Sequence, residues 1–272
     1  MDRIVVVTGA SSGVGLAAAK QFAAQGDRVV VVGRNADRLA AAVAQVRAAG
    51  DGREPGQFRA DFEVLDDVRK LAARLQEAYP RIDVLANNAG TMVQGYRRTV
   101  DGYEATIQGN HLAPFLLTNL LRERLAGGRV VNTASDAHRL NNLDSEDLVG
   151  SPQGHSAWKA YGASKAANIL FAAEAARRWP EIFSLSFHPG VVRSNFGDGI
   201  GAAAKFFYRF APFLVTPEKA GALLVWLAST PAADLTGGGY YVGHRVVRPT
   251  GNAGDPAVAA RLWDTSAKAV GF

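Results

Sequence analysis

Two short runs, Ile4–Thr8 (IVVVT) and Arg28–Val32 (RVVVV), carry β-branched side chains with no polar residue at alternate positions. A strand wet on one face alternates. An unbroken apolar run is buried on both faces, as a central strand of a parallel sheet covered by helices must be. Further strand-like runs are Gly56–Arg59, Val84–Asn87, Arg129–Thr133, Phe183–His188 and Gly239–Val242. Amphipathic or Ala-rich segments separate them at Gly13–Gln25, Ala36–Ala49, Leu65–Ala78, Tyr103–Arg124, Ala157–Arg178 and Pro217–Ala228. This alternation predicts an α/β fold, a doubly wound parallel sheet with helices on both faces. With no long linker and no fixed-period repeat, one domain over residues 1–272 is expected. Residues 194–215 exceed a normal helix–strand connection and read as a lid insertion.

Composition excludes several classes. At 48% hydrophobic and 20% charged, the chain is neither disordered nor collagen-like nor a coiled coil. It has no cysteine, hence no disulfide, thiolate metal site or cysteine nucleophile, which suits a reducing compartment such as the cytoplasm. Lys and Arg number 30 against 25 Asp and Glu, but no basic run exceeds Arg97-Arg98 or Arg177-Arg178, so no nucleic-acid partner is expected. The first residues open directly into a strand, without the order of an export signal. The apolar stretch Gly201–Val215 contains Lys205, Arg209 and Pro212 and falls short of the ~20 residues of a membrane span. The histidines His111, His138, His155, His188 and His244 show no metal-ligand spacing, so no metal is expected. His138, just after Ser135, reads as a loop histidine or a residue facing substrate.

The segment TGASSGVG, Thr8 to Gly15, follows the first strand and opens the first helix. Gly9 permits a tight turn, Gly13 lets backbone approach a pyrophosphate, and Gly15 allows close helix–strand packing. Ser11, Ser12 and Val14 lie between them, where helix N–H groups face an anion. Residues 9–13 also match G-x-S-x-G, which would make Ser11 an esterase nucleophile, but that elbow does not normally lie on a first strand. The second strand leads into Arg34 and Asn35. An acid here would bond a ribose 2′-hydroxyl, whereas a guanidinium forks onto a 2′-phosphate, so NADP(H) is favoured and NAD(H) remains possible. The alternative for Arg34 is a solvated arginine paired with Asp37.

In YGASK, Tyr161 and Lys165 stand four residues apart and share one face of a helix. An ammonium beside a phenol favours the phenolate and makes a usable acid/base. Ser135 follows the fifth strand, at the edge where such sheets bind ligands. Asn110 precedes Pro114 in a long helical segment, where its amide holds a water or a backbone bend.

These motifs, with NNAG at Asn87–Gly90 and HPGVVRS at His188–Ser194, all in one order, resemble the short-chain dehydrogenases/reductases. NHLAPFLLTNLL, HPGVV, TPEKAGA and RLWDTS are similar to the retinol-dehydrogenase and WW-domain-oxidoreductase branch. The resemblance implies a Rossmann-type sheet of about seven strands in the order 3-2-1-4-5-6-7. It implies Tyr161 as acid/base, Lys165 holding the nicotinamide ribose and tuning Tyr161, Ser135 bonding the carbonyl, and Asn110 supporting a water relay. It places Asp61-Phe62 at the adenine, Asn88-Ala89-Gly90 beneath the adenosine ribose, and Val192 and Ser194 at the carboxamide. Without it, Asp61 is a cap for the helix near Leu65, and Ser194 an ordinary loop serine. A homodimer or homotetramer is also implied. The aromatic residues Phe206, Phe207, Tyr208, Phe210 and Phe213 read as lid residues over a lipophilic carbonyl or alcohol substrate, or as packing, partner or membrane-surface contacts.

Overall fold

The computed structural model describes residues 2–192 and 214–272, so Ser194 and nearly all of the expected lid, with its aromatics, lie outside the described residues. The strands are β1 (Ile4–Thr8), β2 (Arg28–Gly33), β3 (Gly56–Arg59), β4 (Val84–Asn87), β5 (Arg129–Thr133), β6 (Phe183–His188), β7 (Tyr240–Val242) and β8 (Arg245–Val246). They form one sheet in the order β3-β2-β1-β4-β5-β6-β7-β8. The first seven are parallel, in the expected order. The eighth is an addition: β8 pairs antiparallel with β7 after a tight turn opened by Gly243, whose φ of +58° suits the first position of a hairpin turn. Two exposed residues carry no alternation, so the sequence pattern did not reveal this strand.

Successive residues of β1 and β2 point to opposite faces, and each face has its own core. Val5, Val7, Val29 and Val31 join Phe22, Leu39, Val43 and Leu224 on one side. That side is covered by α1 (Gly13–Ala24), α2 (Ala36–Ala49) and α7 (Pro217–Ser229). Gly221 lets α7 approach α1, since a Cβ there would stand 2.8 Å from the Ala18 amide nitrogen. On the other side Val6, Val30, Leu85 and Val130 meet Leu71, Phe115, Phe171 and Trp263. Here the cover is α3 (Leu65–Ala78), α5 (Ala113–Leu120), α6 (Ala157–Arg178) and α8 (Pro256–Val270).

Two helical segments differ from expectation. The run Tyr103–Arg124 is not one helix: a short α4 (Ala105–Ile107) passes into a π turn at Gln108–Leu112, then α5, then a 3₁₀ turn at Arg122–Leu125. Pro114 has no N–H for the carbonyl four residues back, that of Asn110, and its ring crowds that carbonyl. The wider turn relieves this conflict, and such turns gather at functional sites.

The second difference is α8, which the pattern reading passed over although its signals were present. Asp255 accepts from the Ala257 and Val258 amides at 2.8 and 3.4 Å, Pro256 occupies the first turn, and Gly271 ends the helix at φ +81°. Trp263 of α8 lies edge-on to Trp179 and Phe115, with centroids 4.9 and 5.0 Å away. Replacing Asp255 by alanine is expected to lower unfolding free energy by about 1 kcal/mol, read as a shifted urea midpoint with unchanged slope.

Candidate active site

The parallel strands end at one edge, and the sequence-derived site residues collect along it. After β1 the backbone turns at Gly9, φ +65°, and Gly13, φ +54°, into α1. At Gly15 a Cβ would stand 2.5 Å from both the Asn88 Nδ2 and the Gly9 carbonyl oxygen. Ser12 is the cap residue of α1, but its side chain accepts no N–H of the first turn. The loop is therefore a backbone cradle at a helix N-terminus, shaped for close approach of an anion.

Its wall is the segment after β4. The Thr8 hydroxyl accepts from the Asn88 and Ala89 amides at 3.0 Å each and donates to the Ala86 carbonyl at 3.1 Å. Asn88 Nδ2 returns to the Thr8 carbonyl at 3.0 Å. Thr8 thus ties two of the expected cofactor segments together, a role that the motif reading did not assign.

Tyr161 and Lys165 lie on α6, with the Lys165 Nζ 5.3 Å from the Tyr161 ring centroid. Nζ donates to the Thr133 carbonyl at 3.1 Å, and Asn168 Nδ2 donates to the same oxygen at 3.1 Å. Lys165 is 2% exposed, and burial pulls its pKa down from 10.5 to about 8. Gly90 makes room for it, since a Cβ there would lie 3.2 Å from both Nζ and Asn110 Oδ1.

Asn110 sits in the π turn. Its Oδ1 accepts from the Thr91 amide at 2.8 Å, while Nδ2 donates to the Thr91 carbonyl at 2.8 Å and to Ser164 Oγ at 2.9 Å. With both amide hydrogens engaged, the side chain is a strut joining the turn to the Gly90 segment and α6.

Ser135 follows β5 and caps a 3₁₀ turn, Asp136–Leu140, its Oγ accepting from the Ala137 amide at 3.2 Å. That bond uses a lone pair and leaves the hydroxyl proton available. Beside it, Tyr240 donates to Asp136 Oδ1 at 2.9 Å, and burial pushes the Tyr240 phenol far up.

The adenosine end departs in detail from the sequence reading. Asn35 is engaged as the α2 cap, its Oδ1 accepting from the Arg38 amide at 2.9 Å. Arg34 Nη1 lies 3.6 Å from Glu63 and 3.8 Å from Asp61, not on Asp37. Glu63 also takes Arg97 at 2.6 Å. Asp61 does not cap α3; Asp101 accepts the Leu65 amide instead, at 2.9 Å. Instead Asp61 Oδ1 holds the Glu63 amide at 3.0 Å in a local turn. The Phe62 side chain is buried in the core. Val192 pairs with Val215 in an isolated parallel bridge.

A cradle that any Cβ on Gly15 would fill, an uncapped helix start and a buried ammonium next to a tyrosine fit a nicotinamide dinucleotide. The short chain dehydrogenase family model matches residues 3–204. A Streptomyces sp. (strain C5) protein provisionally named daunorubicin C-13 ketoreductase is 51% identical, covering 99% of this chain and 93% of its own. Human retinol dehydrogenase 13 is 32% identical over 99% of this chain and 85% of its own. Among solved structures, an uncharacterized Mycobacterium paratuberculosis protein superposes with TM-score 0.80 at 32% identity, covering 98% of this chain and 93% of that one. A Burkholderia cenocepacia short chain dehydrogenase in complex with NADP gives 0.71 at 29% identity, covering 88% and 94%.

The fold and site define an oxidoreductase acting on carbonyl or CH–OH groups. The chain belongs to the short-chain dehydrogenase/reductase family, with ketoreductase and retinol-dehydrogenase relatives. Among the described residues, no helix is long and apolar enough to cross a membrane.

Burial of Lys165 has a cost visible in the unliganded protein. Between pH 8 and 10.5 the unfolded chain binds more protons at this residue than the folded one, so stability rises with pH across that window. Lys165→Met is expected to stabilise the free protein at pH 7 by up to about 3 kcal/mol. That advantage should shrink toward pH 10.5 in urea titrations.

Proposed function

We propose that this protein is an NADPH-dependent ketoreductase that converts a lipophilic, bulky ketone to its alcohol. The observation that carries the reading is the buried Lys165 ammonium one turn after Tyr161 on α6, with Ser135 following β5 at the same edge of the sheet. The name of the 51% identical relative supports a ketone as substrate, and the NADP-bound neighbour supports the cofactor. Exposed apolar side chains on bordering elements support a lipophilic substrate: Leu140 ends the Ser135 turn, Trp158 lies one turn before Tyr161, and Val191 follows β6.

Gly9, Ser11, Ser12, Gly13, Val14 and Gly15 would hold the pyrophosphate, with Asn88, Ala89 and Gly90 along the adenosine side. Asp61 would accept from the adenine amino group, and Lys165 would bond the nicotinamide ribose. The bound dinucleotide supplies the hydride. Tyr161 gives its phenolic proton to the carbonyl oxygen as that oxygen gains charge, and Lys165 stabilises the phenolate left behind. Ser135 Oγ, already accepting from Ala137, donates its proton to the same oxygen and holds charge that develops there. Asn110 keeps the Gly90 segment and α6 in register around this group.

Turnover is tested by NADPH consumption with daunorubicin, retinal and phenanthrenequinone. Tyr161→Phe is expected to lower kcat by about 10²- to 10⁴-fold while the melting shift given by NADPH persists. Full activity in Tyr161→Phe would overturn the mechanism. NAD(H) is the second reading, because the carboxylates of Asp61 and Glu63 flank Arg34 and would oppose a phosphate there. Arg34→Asp separates the two: NADPH affinity should fall by at least about tenfold more than NADH affinity, a difference of about 1.4 kcal/mol. Equal losses would favour NAD(H).

A further inference from the structure

His138 is 2% exposed and carries no part of the mechanism above. Its Nδ1 lies 2.8 Å from the Ser135 carbonyl oxygen. A carbonyl only accepts, so Nδ1 carries the proton and donates. Nε2 is then an acceptor, and it takes the Thr250 amide at 3.2 Å, with the Thr250 hydroxyl at 3.3 Å. One neutral tautomer satisfies both ends, and each ring nitrogen fixes the role of the other. The ring stands edge-on to Tyr240, with centroids 5.2 Å apart. The Tyr240 hydroxyl in turn holds Asp136, whose own amide points to His188 Nδ1 at 3.4 Å.

The turn that carries Ser135 is therefore gripped from several sides. From α6, Gly162 allows contact so close that a Cβ would stand 2.6 Å from the Ala137 carbonyl oxygen. From the segment after β8, Thr250 meets His138 inside the turn, and Asn252 holds Asn142 and Leu143 just beyond it. Ser135 Oγ takes the Ala137 amide inside this turn, so its direction follows the turn. A serine hydroxyl meant for a carbonyl oxygen has to be held within a fraction of an ångström, and a shift of roughly 1 Å costs about 10²-fold in rate.

We propose that His138 is a positioning residue for Ser135, setting the hydroxyl through the hydrogen bond that its Nδ1–H gives the Ser135 carbonyl. The inference rests on Ser135 being the carbonyl-binding hydroxyl of the proposed reaction. Two amide substitutions separate this bond from the one to Thr250. In His138→Asn, Nδ2 takes the place of the imidazole Nδ1 and keeps the bond to Ser135. In His138→Gln, the amide Oε1 takes the place of the imidazole Nε2 as acceptor and keeps only the Thr250 side. Both lose the ring and its contact with Tyr240, so a role in packing alone predicts equal effects.

The experiment measures kcat, KM and NADPH affinity for His138→Asn, His138→Gln and His138→Phe, each alone and with Ser135→Ala, using whichever of the three carbonyl probes turns over fastest. Melting curves in the same buffer confirm that each variant is folded at the assay temperature. Expected are kcat near wild type for His138→Asn and a loss of about 10²-fold for His138→Gln and His138→Phe. KM and NADPH affinity should stay within about twofold, and no further loss should follow in the Ser135→Ala background, as for residues acting through one group. Equal kcat in the Asn and Gln variants, or losses that multiply with that of Ser135→Ala, would overturn the proposal. An unimpaired Ser135→Ala would instead remove the Ser135 assignment on which it rests, and a loss in Tyr161→Phe would show that the remainder of the site reading stands.

Discussion

An ammonium group that the fold takes almost wholly out of water governs the arrangement of this site. Lys165 donates to the Thr133 carbonyl, at the end of β5. Burial of such a charge opposes folding unless something in the working complex repays it. Much of the neighbourhood makes sense as support for that one side chain. Gly90 has no Cβ because Nζ and the Asn110 amide occupy the space, and Asn168 shares the same carbonyl. Asn110 joins Thr91 and Ser164, binding the segment after β4 to α6. The π turn that presents Asn110 follows from Pro114. A stability deficit and the proposed catalytic role meet at one nitrogen.

The strands and most helices were legible because burial on both faces writes an unbroken β-branched pattern, and a parallel topology leaves few ways to connect it. β1, β3, β4, β5 and β6 lie where the pattern put them, as do α2, α3 and α6. What escaped had another physical origin. β8 is short and exposed, so no periodicity marks it. The break in Tyr103–Arg124 comes from a single missing N–H, which a hydrophobic pattern does not register. α8 was announced by its caps, Asp255 and Gly271, and not by proximity to any motif.

Within the site, the glycine positions and the Tyr161–Lys165 spacing were readable because each has a local cause. The partners of Arg34 were not. Asp61 and Glu63 follow another strand, and only the β2–β3 pairing brings them to it. His138 is the clearest instance. In the sequence it is a histidine three residues from a serine, and its link to Thr250 spans 112 positions.

The packing of α8 reaches beyond the folded state. Its residues follow every strand of the sheet in chain order, yet Leu262 and Trp263 are part of the core beneath α5 and α6, and Ser266 Oγ lies 2.8 Å from the buried His111. A chain emerging from the ribosome can pair its strands and cover one side with α1, α2 and α7 while Phe115, Phe171 and Trp179 still face water. The opposite side closes only after the helix beginning at Pro256 has been released. Until that helix is made, the nascent protein therefore exposes an aromatic surface of the kind that makes partly folded chains prone to aggregate.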